Sequence, residues 1–504
     1  MEMLRFRYRT LPLLLVALFM LGGFLGGWLI LAGKSKEWIY LVLVLVILKI
    51  AFVILKDWKM GVYFVLLWLT FEDLPRKFLG NNLMVFFGKD LLMAWGYLSF
   101  FYWMKRTGQR MFRPPFGLAL AVLVWYAVIQ ILNPNSPSLW YGLLGLRLYF
   151  YYLPLMFMGY AMMTSERDLL RFLQFHAGVA GVVAVLGLLQ VLIGPHFLNP
   201  RVPPASLGLM YIMKQVPSTG TAFTRTTSVF VSDARFAWYL FIAMVLVLGG
   251  SAYVYLRKKK HAWLFYGSFI LVVLALITNG VRNTLVFAGL TWLALAVLWP
   301  WGMGKGPNRH RVVRILQKIA IVAALAFVGM FLLFPQKVGS YLAYYTATLS
   351  PWSPTSELWH RTWQYPVGNF LKAFRVFDWV FGEGLGTASL GVQYLATLFQ
   401  VPTIGGVESG YGVLVVEMGL LGLILWISWS LSLLRSSWMV CKKLQNTPHF
   451  PLSVLIWAYL FILLIPKMYL GGIGSYQNYI NNVYFWLLTG ILFRLPAISK
   501  QGDE

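Results

Sequence analysis

Apolar runs of roughly 17 to 25 residues, the length that carries a helix across a bilayer core, recur along almost the whole of this 504-residue chain. In hydrocarbon the backbone must satisfy its own hydrogen bonds, so such runs fold as helices or as strands of a closed barrel. Here they are continuous rather than alternating, which argues against the barrel. With 59% hydrophobic and 12% charged residues and a mean hydropathy of +0.70, the chain reads as an all-α polytopic membrane protein, not as a soluble globule with a large core.

Taken in order, the runs place spans near 11–32, 38–55, 60–75, 89–104, 116–133, 141–163, 170–194, 236–255, 262–279, 283–301, 315–334, 409–434, 451–470 and 479–494. That makes about fourteen, with 12 to 14 as the range, because Glu72, Asp73 and Pro75 cut the third run short. The first run follows Arg5, Arg7 and Arg9 and ends without a convincing small-residue cleavage site, so it is read as a retained span rather than a signal peptide. Residues 1–334 then hold spans one to eleven. Residues 335–407 form a large extracytoplasmic loop carrying short helices, and residues 408–504 hold three more spans and a cytoplasmic C-terminus.

The formal charge of +26 does not point to nucleic acid. Most Lys and Arg residues sit in short connections between runs, from Lys56 and Lys59 through Lys105, Arg106, Arg110 and Arg113 to Arg435, Lys442 and Lys443. Strict alternation puts every such cluster, and both termini, on the cytoplasmic face; Lys34 and Lys36 are a small exception. No basic patch interleaved with aromatics lies on a soluble domain, so no nucleic-acid partner is expected. The one cysteine, Cys441, excludes an intramolecular disulfide and a thiolate metal site.

Once topology has accounted for its cations, four arginines remain at the outer face or inside a span: Arg147, Arg225, Arg282 and Arg361. Each could simply snorkel to headgroups or neutralise an acid. Together they could form a cationic pocket, since a planar guanidinium suits bidentate binding of phosphate. One carboxylate, Glu408, opens the span that follows the loop; with only 16 acidic residues in the chain, it needs a partner or a watery cavity to stay charged there. It is a candidate general base, with a salt bridge to an arginine as the structural alternative. Glu417, nine residues deeper, is read as a buried hydrogen-bonded or protonated acid.

Glu357, Asp378, Glu383 and Glu408 are scattered in sequence and no Asp-x-Asp occurs, so neither a metal nor another cofactor is expected. The six histidines lack metal-ligand spacing; only His360 lies in the outer loop, where it is a candidate substrate contact. Trp359, Trp363 and Tyr411 are candidates to stack on sugar faces, though interfacial anchoring explains them equally well.

These residues resemble the O-antigen ligase and O-antigen polymerase superfamily, bacterial enzymes that use polyprenyl-diphosphate-linked glycans. The ligase signature runs His, then Asn, Ser or Gln, nine residues, Gly, two residues, then Gly, Thr or Tyr. Glu408-Ser409, nine residues, Gly419-Leu420-Leu421-Gly422 matches every position but the first. Arg225-Thr226-Thr227-Ser228 resembles the family's Arg-x-x-Ser segment. Arg282, after Thr278-Asn279-Gly280-Val281, resembles its hairpin arginine without the preceding serine, and Gly382-x-Gly384-x-Gly386 is similar to the turn before the signature.

The resemblance covers residues 220–430. It implies a glycosyltransferase in the bacterial cytoplasmic membrane with its active site on the extracytoplasmic side. Arg225 and Arg282 would hold the donor diphosphate, assisted by Arg147 or Arg361, with Glu408 activating the acceptor hydroxyl. Its partners would be a polyprenyl-diphosphate-linked glycan donor, a glycan acceptor and the lipid bilayer, with a flippase and a chain-length regulator as further candidates. Glu in place of His favours the polymerase or exopolysaccharide branch; a ligase is the alternative. A transporter is the rival from another class, although no paired set of Gly- or Pro-broken spans is found.

Overall fold

A computed structural model describes residues 36–79, 83–201, 213–217, 219–220, 222–257, 262–303, 307–352, 357–404 and 406–501. The expected span at 11–32 and its basic leader lie outside these residues. The chain divides near residue 106 into two compact units.

The first unit holds α1 (Lys36–Lys56), α2 (Trp58–Phe71), α3 (Asp73–Leu79) and α4 (Leu83–Thr107), the last of these ending at the boundary. Asp57 caps α2 by accepting from the amides of Lys59 and Met60 at 2.9 and 3.3 Å, which satisfies two of the donors that a helix start leaves free. The charges that shorten the third apolar run are buried rather than exposed. Lys89 Nζ lies 3.2 Å from Glu72 and Arg76 lies 2.9 Å from Asp73, with Lys77 fully buried as well.

The second unit continues with α5 (Gly117–Gln130), α6 (Leu139–Phe150), α7 (Pro154–Met162) and α8 (Glu166–Ile193). A two-stranded antiparallel hairpin follows, β1 (Met213–Gln215) with β2 (Ala222–Thr224), in register Met213 opposite Thr224. It is a small exception to an otherwise helical fold. Next come α9 (Asp233–Leu256), α10 (Ala262–Asn279), α11 (Arg282–Gly302), α12 (Pro307–Leu333) and α13 (Pro335–Leu349). A π-helical turn (His360–Gln364) leads into α14 (Tyr365–Val376), α15 (Val392–Phe399), α16 (Gly410–Lys443), α17 (Phe450–Leu464), α18 (Pro466–Leu470), α19 (Gly474–Gln477) and α20 (Tyr479–Gln501). The 335–407 connection thus carries short helices.

The centre of this unit is α9, buried at every position from Phe236 to Val254 and packed against α8, α10 and α17. A helix apolar on all sides has no face to offer water, so other helices or lipid must surround it. Close packing of α7 on α20 depends on small residues: a Cβ at Gly490 would lie 2.0 Å from the Met156 carbonyl. Without a hydrophobic drive inside a bilayer, backbone approach of this kind is what holds helices together.

Every expected span after the first coincides with helix, but fewer helices qualify as crossings. Among the described residues seven are long and apolar enough: α8, α9, α10, α11, α16, the run 450–470 and α20. The pair α12 and α13, bent by 118°, would make an eighth if it were one broken span. The expected count of about fourteen is therefore corrected to seven or eight among these residues. Helices α2 and α5 have only 14 residues each, and the run at 141–163 is broken between Tyr151 and Leu153 into α6 and α7, with Pro154 opening the second piece. Proline fixes φ and lacks the donor a continuing helix needs.

Candidate functional site

Arg225 follows β2 directly. Phe223 packs against the rings of Tyr341 and Tyr344 on α13, at 5.2 and 4.8 Å between centroids, and so seats the hairpin on that helix. The next turn is held from α8: the Gln190 side-chain oxygen accepts from the amides of Thr227 and Ser228 at 2.8 and 2.9 Å, and Ser228 donates to the Val183 carbonyl. The Arg-x-x-Ser segment thereby becomes a buried turn that presents the arginine. Its Nη1 donates to Asp233 at 3.0 Å, and Nη2 donates to the Tyr344 hydroxyl at 2.8 Å.

Arg282 is the first residue of α11. Its guanidinium carbon lies 5.2 Å from the Tyr344 ring centroid and that of Arg225 lies 5.7 Å from the same ring, so one aromatic ring holds both cations. Arg282 Nη2 donates to Glu357 at 3.1 Å, and the same carboxylate oxygen accepts from Arg361 Nε at 3.3 Å. Burial pushes the Glu357 carboxyl up, but the hydrogen bonds and charges of Arg282 and then Arg361 outweigh it and hold the group below the usual carboxylate range.

The π-helical turn carries the connection onward. The Arg361 guanidinium lies 5.1 Å from the Tyr365 ring, and the Tyr365 hydroxyl donates to Glu408. The His360 ring sits 5.8 Å from Tyr365, with its Nδ1 3.2 Å from Gln364. An unbroken series of contacts therefore runs Asp233, Arg225, Tyr344, Arg282, Glu357, Arg361, Tyr365, Glu408. It gathers three of the four arginines singled out in the sequence, along with Glu408 and His360.

Several expectations are corrected. Glu357 is not a stray acid but the bridge between two arginines. Arg225 is neutralised by Asp233, so the cluster is one of alternating charge rather than a purely cationic pocket. Glu408 is bonded to a tyrosine instead of a guanidinium. The Tyr411 hydroxyl donates to the Leu464 carbonyl at the end of α17 at 3.0 Å. Arg147, on α6, does not enter the series of contacts above. Trp363 stacks with Trp359 at 6.1 Å, and both are exposed, which leaves that pair open as a platform.

Ser409 and Gly419, in the segment that follows Glu408, each have a structural role. Ser409 caps α16, accepting from the Gly412 amide at 3.2 Å. Gly419 adopts φ +66° and interrupts the helix; a Cβ there would lie 2.2 Å from the Val380 carbonyl. The break is filled by the glycine-rich turn. Glu383 donates its amide to the Val416 carbonyl, and the Leu420 amide donates to Trp379, at 2.6 and 2.8 Å. Glu417, fully buried, accepts from the Tyr149 hydroxyl at 2.8 Å and from the Ala388 amide at 3.0 Å, as expected of a hydrogen-bonded interior acid.

Sequence reasoning passed over Tyr344 and Tyr365, the two rings that join the arginines to each other and to the acid. The signal for the first was present: Tyr341, Tyr344 and Tyr345 fall at helical spacing on one face of α13. Among the described residues no group of three or more His, Cys, Asp or Glu side chains is placed to hold a metal ion. Comparison with known proteins adds nothing further, since no protein-family model matches the chain and no curated protein is similar to it.

Proposed function

We propose that this protein is a lipid-dependent membrane glycosyltransferase that polymerises polyprenyl-diphosphate-linked oligosaccharide repeats into O-antigen or exopolysaccharide at the outer face of a bacterial cytoplasmic membrane. The observation that carries this reading is the shared seat of Arg225 and Arg282 on Tyr344, connected through Glu357, Arg361 and Tyr365 to Glu408.

In this mechanism the donor diphosphate displaces Asp233 and Glu357 from Arg225 and Arg282, which stabilise the charge that grows on it as it leaves. An acceptor sugar hydroxyl attacks the anomeric carbon while the bond from that carbon to the diphosphate oxygen breaks, its electron pair remaining on the lipid diphosphate. Glu408 takes the hydroxyl proton. Tyr365 orients that carboxylate, and the exposed Trp359 and Trp363 offer faces for the glycan.

In vitro polymerisation with a matched lipid-linked repeat tests the reading directly. Turnover should persist in EDTA and should be lost when Arg225 and Arg282 are both replaced by Met. Loss of turnover on chelation would overturn the arginine mechanism.

A second reading has one observation in its favour: Glu72, Asp73, Arg76, Lys77 and Lys89 are all buried in the first unit, and interior charges often line a substrate path. Uptake of labelled lipid-linked repeat into proteoliposomes without chain growth would establish that transporter reading instead.

A further inference from the structure

Lys467 lies in α18, directly after the break at Ile465 that ends α17. It is 7% exposed, yet among the described residues its ammonium has no hydrogen bond or ion pair. Its ammonium sits 5.5 Å from the centre of the Trp238 ring and close against Gly471, where an added Cβ would lie 2.9 Å from Nζ. Taking an ammonium out of water is costly unless a counter-charge or well-placed acceptors replace the lost hydration, and one aromatic face returns only part of that. A cation so nearly enclosed and so poorly compensated marks a place that an anion completes.

The surroundings agree. Arg235 lies one turn before Trp238 on α9, so the two share a face of that helix, and its guanidinium covers the Tyr479 ring at 5.2 Å. Each of the two cations thus covers an aromatic ring, Lys467 that of Trp238 and Arg235 that of Tyr479, with Arg235 and Trp238 one turn apart on α9. This place also adjoins the outer end of α16. The Gly410 amide donates to the Gly471 carbonyl at 2.8 Å, and Met468, next to the lysine, packs so tightly on Gly410 that a Cβ there would lie 2.8 Å from its carbonyl oxygen. Glu408 is two residues away in the chain. Asp233, the acid at the start of α9, is engaged by Arg225.

We propose that Lys467, flanked by Arg235, forms an anion subsite separate from the Arg225 and Arg282 pair, and that it receives a phosphate or carboxylate group carried by the glycan substrate. The subsite would hold the acceptor end of the reaction beside Glu408 while the arginine pair holds the donor. The second statement rests on the glycosyltransferase reading; the existence of the subsite does not.

The experiment uses the full chain in detergent micelles, with inorganic phosphate and glucuronate as separate probes and thermal unfolding as the readout. Wild type should be stabilised saturably by at least one probe, and the probe that works tells phosphate from sugar carboxylate. That stabilisation should vanish in K467M and survive in K467R. It should also survive in a double R225M and R282M variant, which disables the arginine pair. Without ligand, K467M should unfold at or above the wild-type temperature, because it removes a buried charge; K467Q is a second neutral variant should K467M fail to fold.

If neither probe gives a stabilisation that depends on Lys467, the subsite does not exist. If the double arginine variant abolishes the Lys467-dependent response, there is one shared site and the separation is wrong. Neither result uses turnover, so the subsite and the proposed activity can fail independently.

Discussion

Glu408 and Glu417 stand nine residues apart in one segment, and each accepts a hydrogen bond from a tyrosine. Their surroundings differ. Glu417 is fully enclosed, and its second oxygen is taken by a backbone amide of the glycine-rich turn. Glu408 is exposed, and beyond its tyrosine lies a line of arginines. The same pair of groups serves as mortar in one place and, in the proposed mechanism, holds the general base in the other. What distinguishes them is whether the carboxylate retains free lone pairs that a substrate could reach.

The comparison is most easily broken at Glu408. E408Q keeps the size and the hydrogen bond to Tyr365 but cannot take a proton. Turnover should fall by about 10² to 10⁴, with the unfolding temperature unchanged. If turnover holds, the outer acid is mortar too. E417L should do the reverse: it strands the Tyr149 hydroxyl and the Ala388 amide in an enclosed place, at a cost of about 1 to 3 kcal/mol, visible as a lower unfolding temperature in detergent.

A smaller effect is expected from Y365F, which leaves the ring beneath Arg361 and removes only the donor to Glu408. Loss of a hydrogen bond worth about 1 kcal/mol should slow turnover several-fold without altering stability. The smallest concerns Glu357. Its carboxyl is held low, so the stability it adds is complete above its unfolded value and disappears only as the pH falls through the lower folded value. Wild type and E357Q should therefore show a constant gap in unfolding temperature from neutral pH down to the ordinary carboxylate value, a shrinking gap below it, and convergence in stronger acid. Because Glu357 and Arg361 are substantially exposed, the gap should be below about 1 kcal/mol and shrink in salt.

How much of this was readable in advance depended on how unusual each residue was for its place. Arg225, Arg282 and Arg361 stood out because positive charge is scarce on the outer face once alternation has been assigned, and Glu408 because acids are scarce altogether. Tyr344 and Tyr365 did not stand out: tyrosine is common wherever a helix meets the headgroup region, so its presence there carries no information about what it binds. The pairing of Arg225 with Asp233 was visible only in part, as two residues near each other in the chain.

The helices themselves were legible because their apolar runs are long. Their continuity was less so, since hydropathy averages over the breaks. Pro154, Pro335 and Pro466 each open a new helix after an interruption; reading Pro154 as a break would have removed the run 141–163 from the count, whereas the run 450–470 contains Pro466 and still qualifies. No such break occurs at α10, where the run 262–279 matches the helix end to end.

The break at Gly419 has a consequence for engineering. Because the strand of chain around residues 379–383 is stitched to both sides of that break, everything from Gly384 to Ser409 is a closed ring that leaves and rejoins the same helix. Lengthening such a ring costs little, on the order of 0.6 kcal/mol for each doubling, and the anchorage of the helix does not depend on its length. Short flexible insertions after Gln400 should therefore be tolerated by the fold, making this ring the natural place to graft a reporter beside the candidate acid without disturbing the segment that carries it.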